Sequence, residues 1–304
     1  MNMLKFKSGI KSRFWSGLMA GAMAAAMLVL SPCASARAEE VTASLRPSAL
    51  PRPGDMPAGS TMKRIQERGR LIVGVSLDKY NISYLNPLTN ELEGFDVDIA
   101  RQVARAIFGD EKHIQFVAVS SASRIPMIKD GTVDMVVSTF TINEARKKEI
   151  RFSEVYYNAG QKILVQRSSP VASVADLSGQ RVCAPKGSTS AKNVVAANPQ
   201  VKLVETVEFT DCLVLFQQHQ ADAISTDDVI LAGLAAQDPF AKVVGAKFTS
   251  EPYGIGVNMN QPDLVRFINA VLSDIKGNGT WTRIYNRWFG IMGPQEAPRG
   301  VYSD

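Results

Sequence analysis

Short apolar runs alternate with longer stretches whose apolar positions recur every three or four residues, from about residue 62 to residue 289. The runs at 71–75, 114–119, 135–137, 161–167, 181–184, 201–207, 221–227 and 253–259 have the length and side-chain character of buried strands. Between them, 62–68, 97–107, 123–129, 144–149, 212–218, 262–276 and 280–289 read as helices. Gly69 and Gly131 stop two of these, and Asn143 stands where an N-cap would open a third. In 262–276, Leu264, Phe267, Ile268, Val271, Leu272 and Ile275 follow helical spacing and read as core, not as a site. This alternation predicts an α/β chain of parallel, right-handed βαβ units, with no internal repeat of fixed period.

Chemistry gathers where strands end. Past 135–137 come Ser138, Thr139 and Thr141, three hydroxyls, and then Arg146-Lys147-Lys148 in the first turns of the expected helix. A helix N-terminus repels a cation by about 0.3–1 kcal/mol, so Arg146 there implies a neighbouring anion or a solvated basic face. Hydroxyls, free backbone N–H groups and a guanidinium together suit a carboxylate-sized anion. A second loop of this kind, 185–190, contains Lys186 and Thr189 and leads into a helix. It lacks the Gly-Lys-Ser/Thr ending of a nucleotide-binding loop, which argues against phosphate. Asp227 closes the run 221–227 with a carboxylate.

Several spaced motifs carry a family resemblance. Ser138-Thr139-Phe140-Thr141 with Arg146, then Arg151-Phe152-Ser153 and Tyr156-Tyr157, resembles the amino-acid-binding proteins of ABC importers. Gly94-Phe95-Asp96-Val97-Asp98 and the later Gly-x-Gly-Thr-Trp run from Gly277 to Phe289 belong to the same pattern, which covers about residues 65–290. The resemblance implies a two-lobed, periplasmic-binding-protein-like clamshell with hinge crossings near 161–167 and 251–258. It places lobe 1 at 61–163 and 252–290, lobe 2 at 164–251 and a tail at 291–304. It further implies that Arg146 clamps an α-carboxylate with help from Thr141 and Thr189. Asp227 would receive the α-ammonium, with Asp228 facing away, while Ser138 and Thr139 supply a carbonyl and a hydroxyl. Ser121, at a position where many members carry a stacking aromatic, and Tyr80, in the loop after the first strand, would also contact the ligand, as would Lys186.

Ser-x-x-Arg124-Ile-Pro resembles glutamate/aspartate-binding members, in which that arginine meets the side-chain carboxylate. A surface arginine on a helix N-terminus is the alternative. Some of those members place another arginine where this chain has Ser76; Lys79 or Lys186 would have to compensate, and asparagine or glutamine stays open as ligand. An enzyme on this scaffold, a dehydratase or a murein-cleaving relative, would need a general acid/base pair in the cleft. His113 and His219 lie in flanking segments and no further glutamate is expected at a strand end there, so the expectation is a binding protein without cofactor or metal. Its partners would be a small amino acid and either ABC permease subunits or a membrane receptor, with the chain itself a monomer.

Charge at first suggests something else. The formal net charge of +5 and pI of 9.1 would fit a nucleic-acid binder. Residues 1–38, however, contain Lys5, Lys7, Lys11, Arg13 and Arg37 and no acid; without those five, 29 basic residues face 29 acidic ones. The neutral remainder gives no reason to expect nucleic acid. A basic start, an apolar run over 18–30 and small residues afterwards read as an export signal, the run being short for a membrane span. Cleavage after Ala38, in Ala36-Arg37-Ala38, is favoured; lipidation at Cys33 is the alternative, with Pro32 a poor match before it. Either outcome puts the chain in the periplasm or at the cell surface. Residues 39–60, with Pro47, Pro51, Pro53 and Pro57, read as an extended and disordered tether. Beyond Cys33 only Cys183 and Cys212 remain, which in an oxidising compartment suggests a disulfide, two buried thiols being the alternative.

Overall fold

Ser60 opens the first helix, α1 (Thr61–Arg68), by accepting from Lys63 N, and Gly69 closes it at φ 82°, a left-handed value that favours glycine. The computed structural model describes residues 45–300 and 302. The export signal, Cys33 and the Ala38 cleavage site lie outside the described residues. In the first lobe, β1 (Leu71–Val75) is followed by a three-stranded flap of β2 (Asp78–Lys79), β3 (Ser83–Leu85) and β4 (Leu92–Glu93). Then come α2 (Phe95–Phe108), β5 (Ile114–Ala118), α3 (Arg124–Lys129), β6 (Met135–Val136), α4 (Glu144–Lys147) and β7 (Arg151–Phe152).

The first crossing is β8 (Tyr157–Ala159). The second lobe follows with β9 (Gln161–Gln166), β10 (Arg181–Pro185), α5 (Thr189–Ala197), β11 (Lys202–Thr206) and α6 (Phe209–Gln217). It continues with β12 (Ala223–Asp227), α7 (Asp228–Ala235) and β13 (Ala241–Val244). The chain returns through β14 (Glu251–Tyr253) and β15 (Gly256–Val257), and ends in α8 (Pro262–Gly277) and α9 (Thr280–Phe289).

Each lobe holds a five-stranded sheet, ordered β5-β1-β6-β15-β7 and β11-β10-β12-β9-β13. Strands β1, β5 and β6 run parallel, as do β10, β11 and β12; β15 joins the first sheet and β9 the second in antiparallel sense. The two crossings pair with each other, β14 against β8, with Glu251 opposite Ala159 and Tyr253 opposite Tyr157. The chain is therefore an α/β clamshell whose lobes are joined by two neighbouring strands.

Element ends shift by a few residues in several places, and two of the differences bear on the cleft. The run 253–259 is divided between β14 and β15, and Gly254 between them is packed so closely that a Cβ would lie 2.7 Å from Ile142 Cδ1. The helix expected over 144–149 is a single turn, α4, capped by Asn143 accepting from Arg146 N. One turn has almost no aligned dipole, so repulsion at a helix N-terminus is not what governs Arg146. The chain bends after it so that Ile150 can enter the core.

Several quoted motif residues are scaffold. Phe95, Tyr157, Trp281, Tyr285 and Phe289 form one buried aromatic cluster, with Phe95 and Phe289 centroids 4.8 Å apart. Trp281 Nε1 donates to Tyr156 O at 2.8 Å, pinning α9 to the start of the first crossing. Cys183 and Cys212 form a disulfide with Cα atoms 5.5 Å apart, joining β10 to α6. Residues 45–60 carry no helix or strand, but they are not a free tether. Met56 is buried, Gly54 N donates to Ile107 O, Ser48 N to Arg266 O, and Asn269 Nδ2 reaches Leu45 O. All of these contacts are with the first lobe; the apolar Leu45 and Met56 supplied anchors that a proline-rich composition concealed.

Candidate functional site

Between the lobes lies a nearly closed cavity of about 10 Å³, lined by Ser121, Arg124, Thr139, Ser188, Thr189, Ser190, Phe209, Thr226, Asp227 and Ile230. Larger hollows open elsewhere, one of about 600 Å³ beside Gln180 and His219, but their linings do not include Arg124 or Asp227. The cleft cavity combines a buried cation and a buried carboxylate, which apolar or solvated hollows do not. Buried charges need partners, and these two are only partly supplied.

Arg124 opens α3 and is 3% exposed. Its Nη1 donates to Ser138 O at 2.8 Å, its guanidinium lies 3.9 Å from the Phe140 ring centroid, and its Nε has no hydrogen-bond partner. Burial, and next the charge of Arg146, pushes its pKa well below the ordinary arginine value. Among the described residues no carboxylate reaches salt-bridge distance of it. The surface-arginine alternative fails for this residue.

Asp227 ends β12 and is also buried. Its Oδ2 accepts from the Tyr253 hydroxyl at 2.6 Å, while Oδ1 has no partner. Burial pushes its pKa up to about 7, aided by the charges of Glu251 and Asp228 and opposed by the Tyr253 hydrogen bond. Asp228 does turn aside, pairing with Lys247 at 2.8 Å and accepting from Gly160 N.

Arg146 is buried too, its guanidinium 5.0 Å from the same ring. Nη1 donates to Thr141 O at 2.7 Å and Nη2 to Gly187 O at 3.4 Å, so one guanidinium touches both lobes. Burial lowers its pKa to about 10, with Glu251 and Asp227 acting in the opposite sense. The helix α5 begins at Thr189, capped by Ser188 accepting from Ala191 N at 3.1 Å. Ahead of that capped N–H, those of Thr189 and Ser190 have no intrahelical partners and add a second set of anion donors.

The stretch 138–139 is held by the Gly94-Phe95-Asp96 motif. Thr139 adopts φ 43°, unusual for a β-branched residue. Its N–H donates to Asp96 Oδ2 at 2.7 Å, and the Tyr156 hydroxyl donates to Asp96 Oδ1. Burial raises Asp96 to about 6 against those two hydrogen bonds. Gly94 precedes α2 at φ 135°, and a Cβ there would lie 2.3 Å from the Ile82 carbonyl carbon. The motif thus fixes an unfavourable backbone at the site.

Lys79 is the candidate substitute for the arginine missing at 76. It is buried, and its Nζ donates to Ser138 Oγ at 3.3 Å and Thr139 Oγ1 at 2.8 Å. Lys186 is exposed and outside the cavity lining. Tyr80 is also exposed, its ring against Tyr84 at 4.9 Å, and its carbonyl and Cβ face Gly233 of the other lobe. Ser121 lines the cavity as expected.

Sequence reasoning missed Glu251, having allowed no further glutamate at a strand end in the cleft. It opens β14, is 3% exposed, and accepts from Thr141 Oγ1 at 2.7 Å, Thr189 Oγ1 at 2.9 Å and Asn193 Nδ2 at 2.7 Å. An acid directly before Pro252 at a lobe crossing was the available signal. The described residues contain no cluster of His, Cys, Asp and Glu able to hold a metal, and no helix long and apolar enough to cross a membrane.

Over residues 71–291 the chain matches the family described as bacterial extracellular solute-binding proteins, family 3. It is 41% identical over 229 residues to the ABC transporter glutamine-binding protein of Bacillus subtilis (strain 168), covering 75% of this chain and 84% of that one. It is 30% identical over 249 residues to a glutamate-binding protein of Corynebacterium efficiens, covering 78% and 84%. The solved structure of holo ArgBP from T. maritima superposes with a TM-score of 0.67 at 31% identity, covering 75% and 99%.

Proposed function

The chain belongs to the bacterial extracellular solute-binding proteins of family 3, amino-acid-binding components of ABC import, and we propose that its ligand is glutamate or aspartate. The observation that carries this is Arg124, a buried cation with an unpartnered Nε in the cavity that Asp227 lines. A ligand carboxylate is the partner such a cation lacks.

In this reading Arg146 and the N–H groups opening α5 receive the α-carboxylate. Asp227 receives the α-ammonium through its free Oδ1, and Arg124, with Lys79 behind Ser138 and Thr139, receives the side-chain carboxylate. Closure of the lobes over the ligand then makes the form that docks on the permease. Export follows from the signal at 1–38, with processing after Ala38 and a soluble monomer as product.

Glutamine is a second reading with its own support, the 41% identical relative named as glutamine-binding, together with Ser76 in place of an arginine. Calorimetric titration of the mature chain with all twenty amino acids tests both. Glutamate or aspartate binding at least tenfold more tightly than glutamine supports the first, and the reverse order supports the second. Silence with all twenty would overturn both.

A further inference from the structure

Glu251 sits where the two lobes and the hinge meet. Thr141 follows β6 of the first lobe, Thr189 and Asn193 belong to α5 of the second, and Glu251 lies on the returning crossing between them. Its Oε2 accepts hydrogen bonds from both threonine hydroxyls and its Oε1 accepts one from Asn193 Nδ2, so one carboxylate gathers donors from both lobes. The threonine hydroxyls lie 3.4 Å apart, close enough that rotation of either lobe would break one of the pair of bonds to Oε2.

A hydroxyl has one proton to give. With both protons on Glu251, Thr141 and Thr189 turn lone pairs, not donors, towards anything else in the cleft. A carboxylate beside Arg146 also works against a second, ligand carboxylate there. Its presence therefore needs a compensating gain, and the contacts identify one: they can all be made together only when the lobes are closed.

We infer that Glu251 is a positioning residue that latches the closed form and fixes Thr141 and Thr189 as they meet the ligand. This rests on the amino-acid-binding reading of the cleft but not on which amino acid is bound. Without the latch, the closed complex should open sooner, so the loss falls mainly on dissociation.

The test is calorimetry and stopped-flow dissociation with L-glutamate and L-glutamine, on the mature wild-type chain, Glu251→Gln and Asn193→Ala. At pH 8, Glu251→Gln should bind at least tenfold more weakly, with dissociation faster by a similar factor and association little changed. Asn193→Ala, which removes one donor from the second lobe, should dissociate about threefold faster. Removing the charge next to Asp227 should also shrink the loss of affinity between pH 8 and pH 6, which a purely structural defect would leave unchanged. Affinity in Glu251→Gln equal to or tighter than wild type would overturn the latch. If that variant fails to fold, Asn193→Ala decides, and an unchanged dissociation rate sinks the proposal. Retained binding in Arg146→Ala would instead reject the reading of the cleft itself.

Discussion

The Tyr253 hydroxyl, on the returning crossing, donates to Asp227 Oδ2 at 2.6 Å and leaves Oδ1 buried and unpartnered at the cavity. An unfilled acceptor of this kind is costly unless it is protonated or receives a cation. Burial and the nearby acids raise Asp227 to about 7, far above the ordinary carboxyl value of 3.8. Two opposite pH trends follow. An ammonium needs the ionised form, so amino-acid affinity should fall about tenfold from pH 8 to pH 6. The ligand-free chain should gain stability over the same interval, because the native state takes up a proton that the unfolded state does not. Asp96, raised to about 6, and Glu208, raised to about 7, act in the same sense. Calorimetry and thermal melts at pH 6, 7 and 8 check both trends, and Asp227→Asn should flatten the stability trend. Parallel trends would refute the assignment.

Arg146→Ala and Asp227→Ala remove the two groups assigned to the ligand's main-chain charges. Loss of one member of a buried charge pair costs about 2–5 kcal/mol, or roughly 30- to several-thousand-fold in affinity. Near-native binding in either variant would place the ligand elsewhere.

Arg124→Met keeps much of the length and removes the guanidinium. Glutamate and aspartate should weaken by at least about tenfold, or 1.4 kcal/mol, and glutamine and asparagine by less. Equal losses would mean that Arg124 supports the cavity without reading charge. No loss would contradict the role altogether.

Gly233, inside α7, faces the first lobe: a Cβ there would stand 2.8 Å from the Tyr80 carbonyl oxygen. Gly233→Ala should therefore help the helix and hinder closure. Ligand-free stability should rise by up to about 1 kcal/mol while affinity drops several-fold. A variant that gains in both would show that the seam has room to spare.

The Cys183–Cys212 bridge should stabilise the second lobe by about 2–4 kcal/mol. Alkylation without reductant, read by mass spectrometry, should label neither cysteine. Adding reductant should lower the melting temperature.

Much of the clamshell was legible because its strands are locally marked. The runs at 71–75 and 181–184 and the Asn143 cap each depend on neighbours in sequence, and the cysteine pair was legible because only two cysteines remain beyond Cys33. Arg124 was legible for a different reason, since an arginine without a local acid must find a distant partner or face water. Glu251 was not, because its three donors lie 58 or more residues away and converge only through the hinge. Lys79 resembles any loop lysine until the flap folds it onto Ser138 and Thr139. Tyr80 misled in the opposite direction: its residue type suits a ligand stack, but the turn sends its ring to Tyr84.

Residues 45–60 are fastened to the first lobe, by Leu45 O and Ser48 N at α8 and by Gly54 N at Ile107. Tension applied at residue 45 is therefore absorbed by that lobe and never crosses β8 or β14. The second lobe is held through the cleft contacts and the two adjacent strands alone, not through the front of the chain. A chain held by its front end can open and shut without any load on its hinge.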